Sequence, residues 1–292
     1  MPSSPLEEPP GPELPPGRTV DLPGRGPAFI READGPPGAP TVMLLHGLTA
    51  STDLNWFESF TALAARFRVV AVDHRGYGRG LPAPAGGGFS LEDCADEAVA
   101  VADALGVGSF VPVGYSLGGA VAQLIWRRHP ARVQGLVLCA TSREFLVTVR
   151  ERLLWRALPA WIRVVRWVPG LGRRYVGSTL VARFDGSPWR DWAEAELRRA
   201  EPAHMLAGAR ALGGFSSVSW IGAVDVPVAV IVTTDDVLVP PARQRALAAA
   251  IRGATVHEVA ADHGAPVSAP HQFVPALVEA CRSVTERTHC QD

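Results

Sequence analysis

Short apolar runs, rich in β-branched residues, recur along the chain at 41–46 (TVMLLH), 67–73 (FRVVAVD), 109–115 (SFVPVGY), 133–139 (VQGLVLC), 226–234 (VPVAVIVTT) and 254–260 (ATVHEVA). They are continuous rather than strictly alternating, which marks strands covered on both faces. Between them, residues 53–65, 91–105, 117–130, 240–251 and 270–286 read as helices. Alternation of strand and helix predicts an α/β fold built on a mostly parallel sheet with helices on both faces. Two further strand-like pieces, RTVDL and AFIREA, begin at about residue 18.

The rhythm stops between about 142 and 215. That stretch has no strand-like run, and Pro159, Pro169, Pro188 and Pro202 punctuate it into several helices. It reads as a helical cap or lid inserted between two sheet strands, which divides the catalytic domain into 18–141 and 216–292. Residues 1–17, rich in Pro, Glu and Ser, bury too little apolar surface to offset ordering and are expected to be disordered.

Composition narrows the function classes. The 292 residues suffice for one large domain with an insertion, and 47% are apolar. A net charge of −1 argues against nucleic acid as the main partner. All 28 basic residues are Arg, so no lysine is available for Schiff-base chemistry. The cysteines (94, 139, 281, 290) form no CxxC pair and have no metal-ligand spacing, and no His/Asp/Glu cluster suggests a metal. With neither a signal-peptide pattern nor an apolar run of about 18 residues, a cytoplasmic protein is expected.

The sharpest chemical signal is Gly114-Tyr115-Ser116-Leu117-Gly118, set between a strand and a helix. This is the GxSxG nucleophile elbow in its proper context. The turn holds Ser116 clear of the sheet, and glycines two residues away on each side avoid collision. A serine hydroxyl needs a base, and His263 follows the last strand. The base needs an orienting carboxylate, and a strand ends on Asp235 and Asp236; Asp236 is favoured and Asp235 stays open. Backbone amides of Leu117 and Leu48 are the candidate oxyanion-hole donors, and Gly47 lets the second loop come close. His46 reads as a holder of that loop rather than a catalytic group.

His46-Gly47, Asp73-His74-Arg75-Gly76-Tyr77-Gly78, GYSLGG, the Asp–Asp strand end and Asp262-His263-Gly264 together resemble the α/β-hydrolase superfamily over residues 20–286. At the acid, family members carry a Gly three residues before the Asp and a Pro four after it. Pro240 fits Asp236, but Thr233 stands where the Gly is usual. The resemblance implies an eight-stranded sheet with strand 2 antiparallel and a cap after strand 6. It also implies hydrolysis of a small-molecule ester, thioester or amide without a cofactor, and a carboxylic ester or thioester split through an acyl-enzyme is the favoured reading. Readings kept beside it are a carbon–carbon bond hydrolase, a haloperoxidase-type enzyme, and a ligand-binding receptor on the same scaffold.

The insertion has its own character. Between 141 and 213 there are 13 Arg and 7 acidic residues, a balance of +6, and five of the eight Trp. Trp161, Val164, Val165 and Val168 share one helical face, with Arg163 and Arg166 off it. The favoured reading is a cap with a solvated Arg face; a lid that meets anionic lipid is the sharper alternative. Oligomeric state is left open.

Overall fold

The computed structural model describes residues 9–83, 88–149, 151–153, 155, 181, 184–199 and 202–289. Eight strands form one sheet: β1 (Gly17–Leu22), β2 (Gly26–Ala33), β3 (Thr41–Leu45), β4 (Arg68–Val72), β5 (Val111–Tyr115), β6 (Leu136–Cys139), β7 (Val228–Thr233) and β8 (Thr255–Val259). Their order across the sheet is β1-β2-β4-β3-β5-β6-β7-β8. β2 runs antiparallel to both its neighbours, and every pair from β4 to β8 is parallel.

The strands form where the apolar runs predict, each trimmed by one to three residues at its ends. β3, β5, β6 and β7 are buried at every position, which explains their continuous hydrophobicity. β8 lies at the sheet edge and alternates between partly exposed and exposed until Val259.

Helices cover both faces. On one side α3 (Leu91–Ala104), α4 (Leu117–Arg128) and α7 (Pro241–Ala249) bury Ala95, Val121, Leu124 and Leu247 against the sheet. On the other, α1 (Thr52–Trp56), α2 (Phe60–Ala64) and α9 (Pro270–His289) bury Trp56, Phe60, Phe273 and Leu277. Burying a Val, Leu or Phe side chain fully is worth about 1.5–3 kcal/mol before the entropy of ordering is counted. The single helix expected over 53–65 is two short ones, because a turn at 57–59 redirects the chain before Phe60 can bury itself. A four-residue helix, α8 (Ala265–Ser268), precedes α9.

Between β6 and β7 the described chain holds no strand of the sheet, and it includes α5 (Arg190–Leu197) and α6 (Pro202–Gly214). The two ends of this stretch are pinned together: Glu144 and Ser216 form an isolated antiparallel bridge, and Ser217 N donates to the Arg143 carbonyl at 2.8 Å. The stripe of Trp161, Val164, Val165 and Val168 lies outside the described residues. Residues 9–16 run without regular structure, but Arg31 Nη1 donates to the Pro15 carbonyl at 2.7 Å and Glu32 N to that of Pro16 at 3.2 Å. Among the described residues no helix is long and apolar enough to cross a membrane.

The topology fixes where chemistry can gather. The C-terminal ends of the parallel strands share one edge of the sheet, and Ser116, Asp236 and His263 follow the ends of β5, β7 and β8. In open α/β sheets this edge is where ligands bind.

Candidate active site

Ser116 sits between β5 and α4 with φ 53° and ψ −111°, a left-handed backbone that a non-glycine residue adopts only under constraint. The constraint is visible. Ser116 N donates to the Cys139 carbonyl at 2.9 Å, and the Thr141 hydroxyl donates to the Ser116 carbonyl at 2.8 Å. A Cβ on Gly114 would meet the Gly118 carbonyl oxygen, and one on Gly118 would meet that of Leu45. Only glycine allows strand and helix to approach this closely.

His263 lies in the loop between β8 and α8. Its Nε2 is 2.9 Å from Ser116 Oγ, and its Nδ1 is 2.6 Å from Asp236 Oδ2. An ionised carboxylate only accepts, so Nδ1 carries the proton and Nε2 presents its lone pair to the serine hydroxyl. The Tyr115 hydroxyl donates to the His263 carbonyl at 3.1 Å and holds the loop.

Asp236 is buried, 3% exposed, and fully hydrogen-bonded. Oδ1 accepts from Leu238 N and Val239 N, both at 2.9 Å, and Oδ2 accepts from the Thr233 hydroxyl at 2.8 Å as well as from His263. Burial alone would push this carboxyl up. The hydrogen bond from His263, with the donors at Val239 and Thr233, outweighs it and holds the group below the ordinary carboxylate range. Asp235, the other candidate, is exposed, and its backbone N–H donates to the Ala261 carbonyl at 3.1 Å. Thus Ser116, His263 and Asp236 come together in one line, and Asp235 stands outside it.

Leu117 opens α4 directly after Ser116, and Leu48 follows Gly47 in the loop after β3. That loop passes beside the serine: a Cβ on Gly47 would stand 3.6 Å from Ser116 Cβ. Two side chains hold it through three hydrogen bonds. Asn55 Oδ1 accepts from Gly47 N at 2.9 Å; His46 Nδ1 lies 2.8 Å from the Gly47 carbonyl; His46 Nε2 accepts from His74 N at 2.9 Å. Because Nε2 accepts, the His46 proton sits on Nδ1 and is donated to Gly47. Burial pushes His46 down to about 4 against a weaker opposing pull from the Gly47 carbonyl, and burial also drives His74 well below its usual value. Both rings are neutral braces. Sequence reasoning assigned no role to His74 or Asn55. The signal for Asn55 was its place in the helix that follows the Gly47 loop.

The site opens into a cavity of about 380 Å³. Its walls are apolar, with Leu54, Phe145, Phe184, Leu197, Leu212 and Val267 among them, and its polar groups include Thr49, Asn55, Ser116 and His263. No Arg, Asp or Glu is among the described lining residues. Charges lie behind the wall instead. Arg79 reaches Asp53 at 3.1 Å and Glu196 at 2.7 Å, and Arg31 clasps Asp53 at 2.5 and 2.7 Å. Asp53 and Glu196 neighbour the wall residues Leu54 and Leu197, so this cluster ties α5 to α1. Asp73 accepts from Thr52 N at 2.6 Å and Arg79 N at 2.8 Å; burial raises it to about 6 in spite of these donors, and the charges of Asp53 and Glu196 add to the rise. Among the described residues no group of His, Cys, Asp and Glu could hold a metal ion.

Comparison with known proteins agrees with this architecture. Residues 40–270 match the sequence profile of the alpha/beta hydrolase fold. A protein of Caulobacter segnis provisionally named carbamate hydrolase RutD is 30% identical over 256 residues, covering 83% of this chain and 91% of its own. Among solved structures, the enol-lactonase from Burkholderia xenovorans LB400 superposes with a TM-score of 0.76 at 21% identity, covering 91% of this chain and all of its own. An esterase from Exiguobacterium antarcticum gives 0.77 at 19% identity, covering 92% and 100%. At such identities the two structures speak to the fold alone. By sequence profile, by relatives and by topology, the chain belongs to the alpha/beta hydrolase fold family and is a hydrolase.

Proposed function

We propose that this enzyme hydrolyses carboxylic esters or thioesters of neutral, apolar acyl groups through an acyl-enzyme formed on Ser116. The observation that carries the reading is the hydrogen-bonded line from Ser116 through His263 to Asp236, opening into a cavity whose described walls are apolar. His263 Nε2 takes the hydroxyl proton as Ser116 Oγ attacks the carbonyl carbon. Asp236 keeps the imidazole in the required tautomer and stabilises it when it is charged. The amides of Leu117 and Leu48 receive the oxyanion, each donor worth ~10²–10³ in turnover. His263 then protonates the leaving alcohol or thiol. Water, activated by the same base, releases the acid and restores Ser116. None of these steps calls on a cofactor.

Residues 142–215 act in this reading as a cap. Phe145, Leu197 and Leu212 belong to that stretch and line the cavity. Carbamate hydrolysis, the activity in the name of the Caulobacter relative, attacks a similar carbonyl, but a small unsubstituted carbamate would leave most of 380 Å³ unfilled. A nitrophenyl ester series from acetyl to decanoyl, run beside a nitrophenyl carbamate, tests the assignment. The expected result is a maximum of kcat/KM at a medium acyl chain. Preference for the carbamate, or no hydrolysis of any ester, would overturn it.

A further inference from the structure

Thr233 occupies a position where the resemblance calls for glycine, and it is fully buried at the end of β7. Its surroundings fix what its hydroxyl does. Gln244, fully buried on α7, accepts the Thr233 backbone N–H on Oε1 at 3.0 Å. That bond settles the amide orientation, since the other end of the side chain can only donate. Gln244 Nε2 then donates to the Val239 carbonyl at 2.7 Å and to Thr233 Oγ1 at 2.9 Å, with Asp236 Oδ2 at 3.2 Å. A hydroxyl has one proton. With a donor on one side, Thr233 Oγ1 must give that proton to its other neighbour, Asp236 Oδ2, at 2.8 Å. This is the oxygen that holds His263 Nδ1.

We infer that Thr233 and Gln244 are positioning residues for the reaction: Gln244 orients the Thr233 hydroxyl, which draws charge from Asp236 Oδ2 and so sets how far the pH can fall before the site stops working. The inference rests on the reading of Ser116, His263 and Asp236 given above. Its chemistry is simple. A carboxylate oxygen that already accepts from Thr233 has less charge to offer the imidazolium, so the Asp236–His263 pair takes up its extra proton at lower pH. Without the hydroxyl the pair holds that proton more tightly, and the base is lost at higher pH. Other titratable groups on the surrounding elements are engaged elsewhere. Arg243 pairs with Glu151 and the Phe145 carbonyl, Arg245 pairs with Glu258, Asp262 accepts from Gly264 N and Ser268, and Tyr115 donates to the His263 carbonyl. Asp235 is exposed beside Asp236. None of these bonds involves Thr233.

The test is the pH profile of kcat/KM for wild type, Thr233→Val, Thr233→Ser and Gln244→Met on a nitrophenyl ester. Thr233→Val keeps the shape and removes the hydroxyl. Its acid limb should move to higher pH by about half a unit to one unit, a ~3- to 10-fold loss on the acid side that exceeds any loss on the plateau. Thr233→Ser should restore the limb, and Gln244→Met should move it in the same direction as Thr233→Val. A proton NMR spectrum gives a reading independent of turnover: the His263 Nδ1–H resonance should shift in Thr233→Val and return in Thr233→Ser. A Thr233→Val limb superimposed on wild type, or a uniform loss at every pH with an unmoved Nδ1–H resonance, would overturn the inference. Wild-type protein that hydrolyses no ester while the resonance still moves would instead sink the assigned reaction and leave the positioning role standing.

Discussion

Replacing Asp236 by Asn isolates the tautomer argument, because the surroundings dictate how the amide must sit. Oδ1 faces Leu238 N–H and Val239 N–H, each 2.9 Å away and unable to become acceptors. The Asn oxygen therefore occupies that place, and the NH2 takes the place of Oδ2, facing His263 Nδ1 across the 2.6 Å contact. Two donors cannot share one line, so the imidazole moves its proton to Nε2. Ser116 Oγ, 2.9 Å from Nε2, then meets an N–H rather than a lone pair. The base is present but in the wrong tautomer. Turnover should fall by ~10⁴ at neutral pH, about 5.5 kcal/mol of transition-state stabilisation at 1.36 kcal/mol per tenfold. KM should change little, since Asp236 does not line the cavity. Asp235→Asn, an exposed change, should stay within about twofold of wild type in the same assay. Steady-state hydrolysis of a nitrophenyl ester decides it, with circular dichroism to confirm folding. Asp236→Asn within tenfold of wild type, or a larger loss from Asp235→Asn, would refute the reasoning.

Two further outcomes follow from the cavity and the charges behind it. Leu212→Trp fills part of the apolar cavity and should cut kcat/KM for octanoyl ester at least ~10-fold while acetyl ester changes less; equal losses on both would contradict an acyl pocket there. Asp73, raised by burial from 3.8 to about 6, binds its proton more tightly folded than unfolded, so its contribution to stability falls as pH rises from about 4 to about 6 and is flat above. Urea unfolding at several pH values should show wild type losing ground to Asp73→Asn across that window; a constant difference would mean that Asp73 is not held protonated by burial.

How much of this was legible in the residues alone follows from range. Ser116 announces itself because the elbow is local: Gly114 and Gly118 stand two residues to either side, and the strand and helix that flank them have strong periodic signals. The parallel strands were legible for the same reason, since β3, β5 and β7 are buried on both faces and carry unbroken apolar runs. The choice between Asp235 and Asp236 was not local. It turns on which carboxylate faces the amides of Leu238 and Val239 and the ring of His263, a matter of how the chain leaves β7. Likewise Arg79 and Glu196 meet across more than a hundred residues, and Gln244 reaches Thr233 from a different element. Neither pair has a spacing that sequence could reveal. The split of the 53–65 helix at 57–59 escaped because both halves share one apolar pattern while the turn between them is decided by packing.

The central claim is that Ser116 is the nucleophile, and the most direct measurement is covalent capture. A fluorophosphonate reacts only with a serine whose hydroxyl is activated by a base and whose adduct oxygen finds oxyanion donors. Intact mass after labelling, followed by peptide mapping, should show one adduct, carried on Ser116. It should disappear in Ser116→Ala, together with at least ~10⁴-fold of the ester hydrolysis. An adduct on another residue, or a folded Ser116→Ala protein that hydrolyses ester like wild type, would contradict the account.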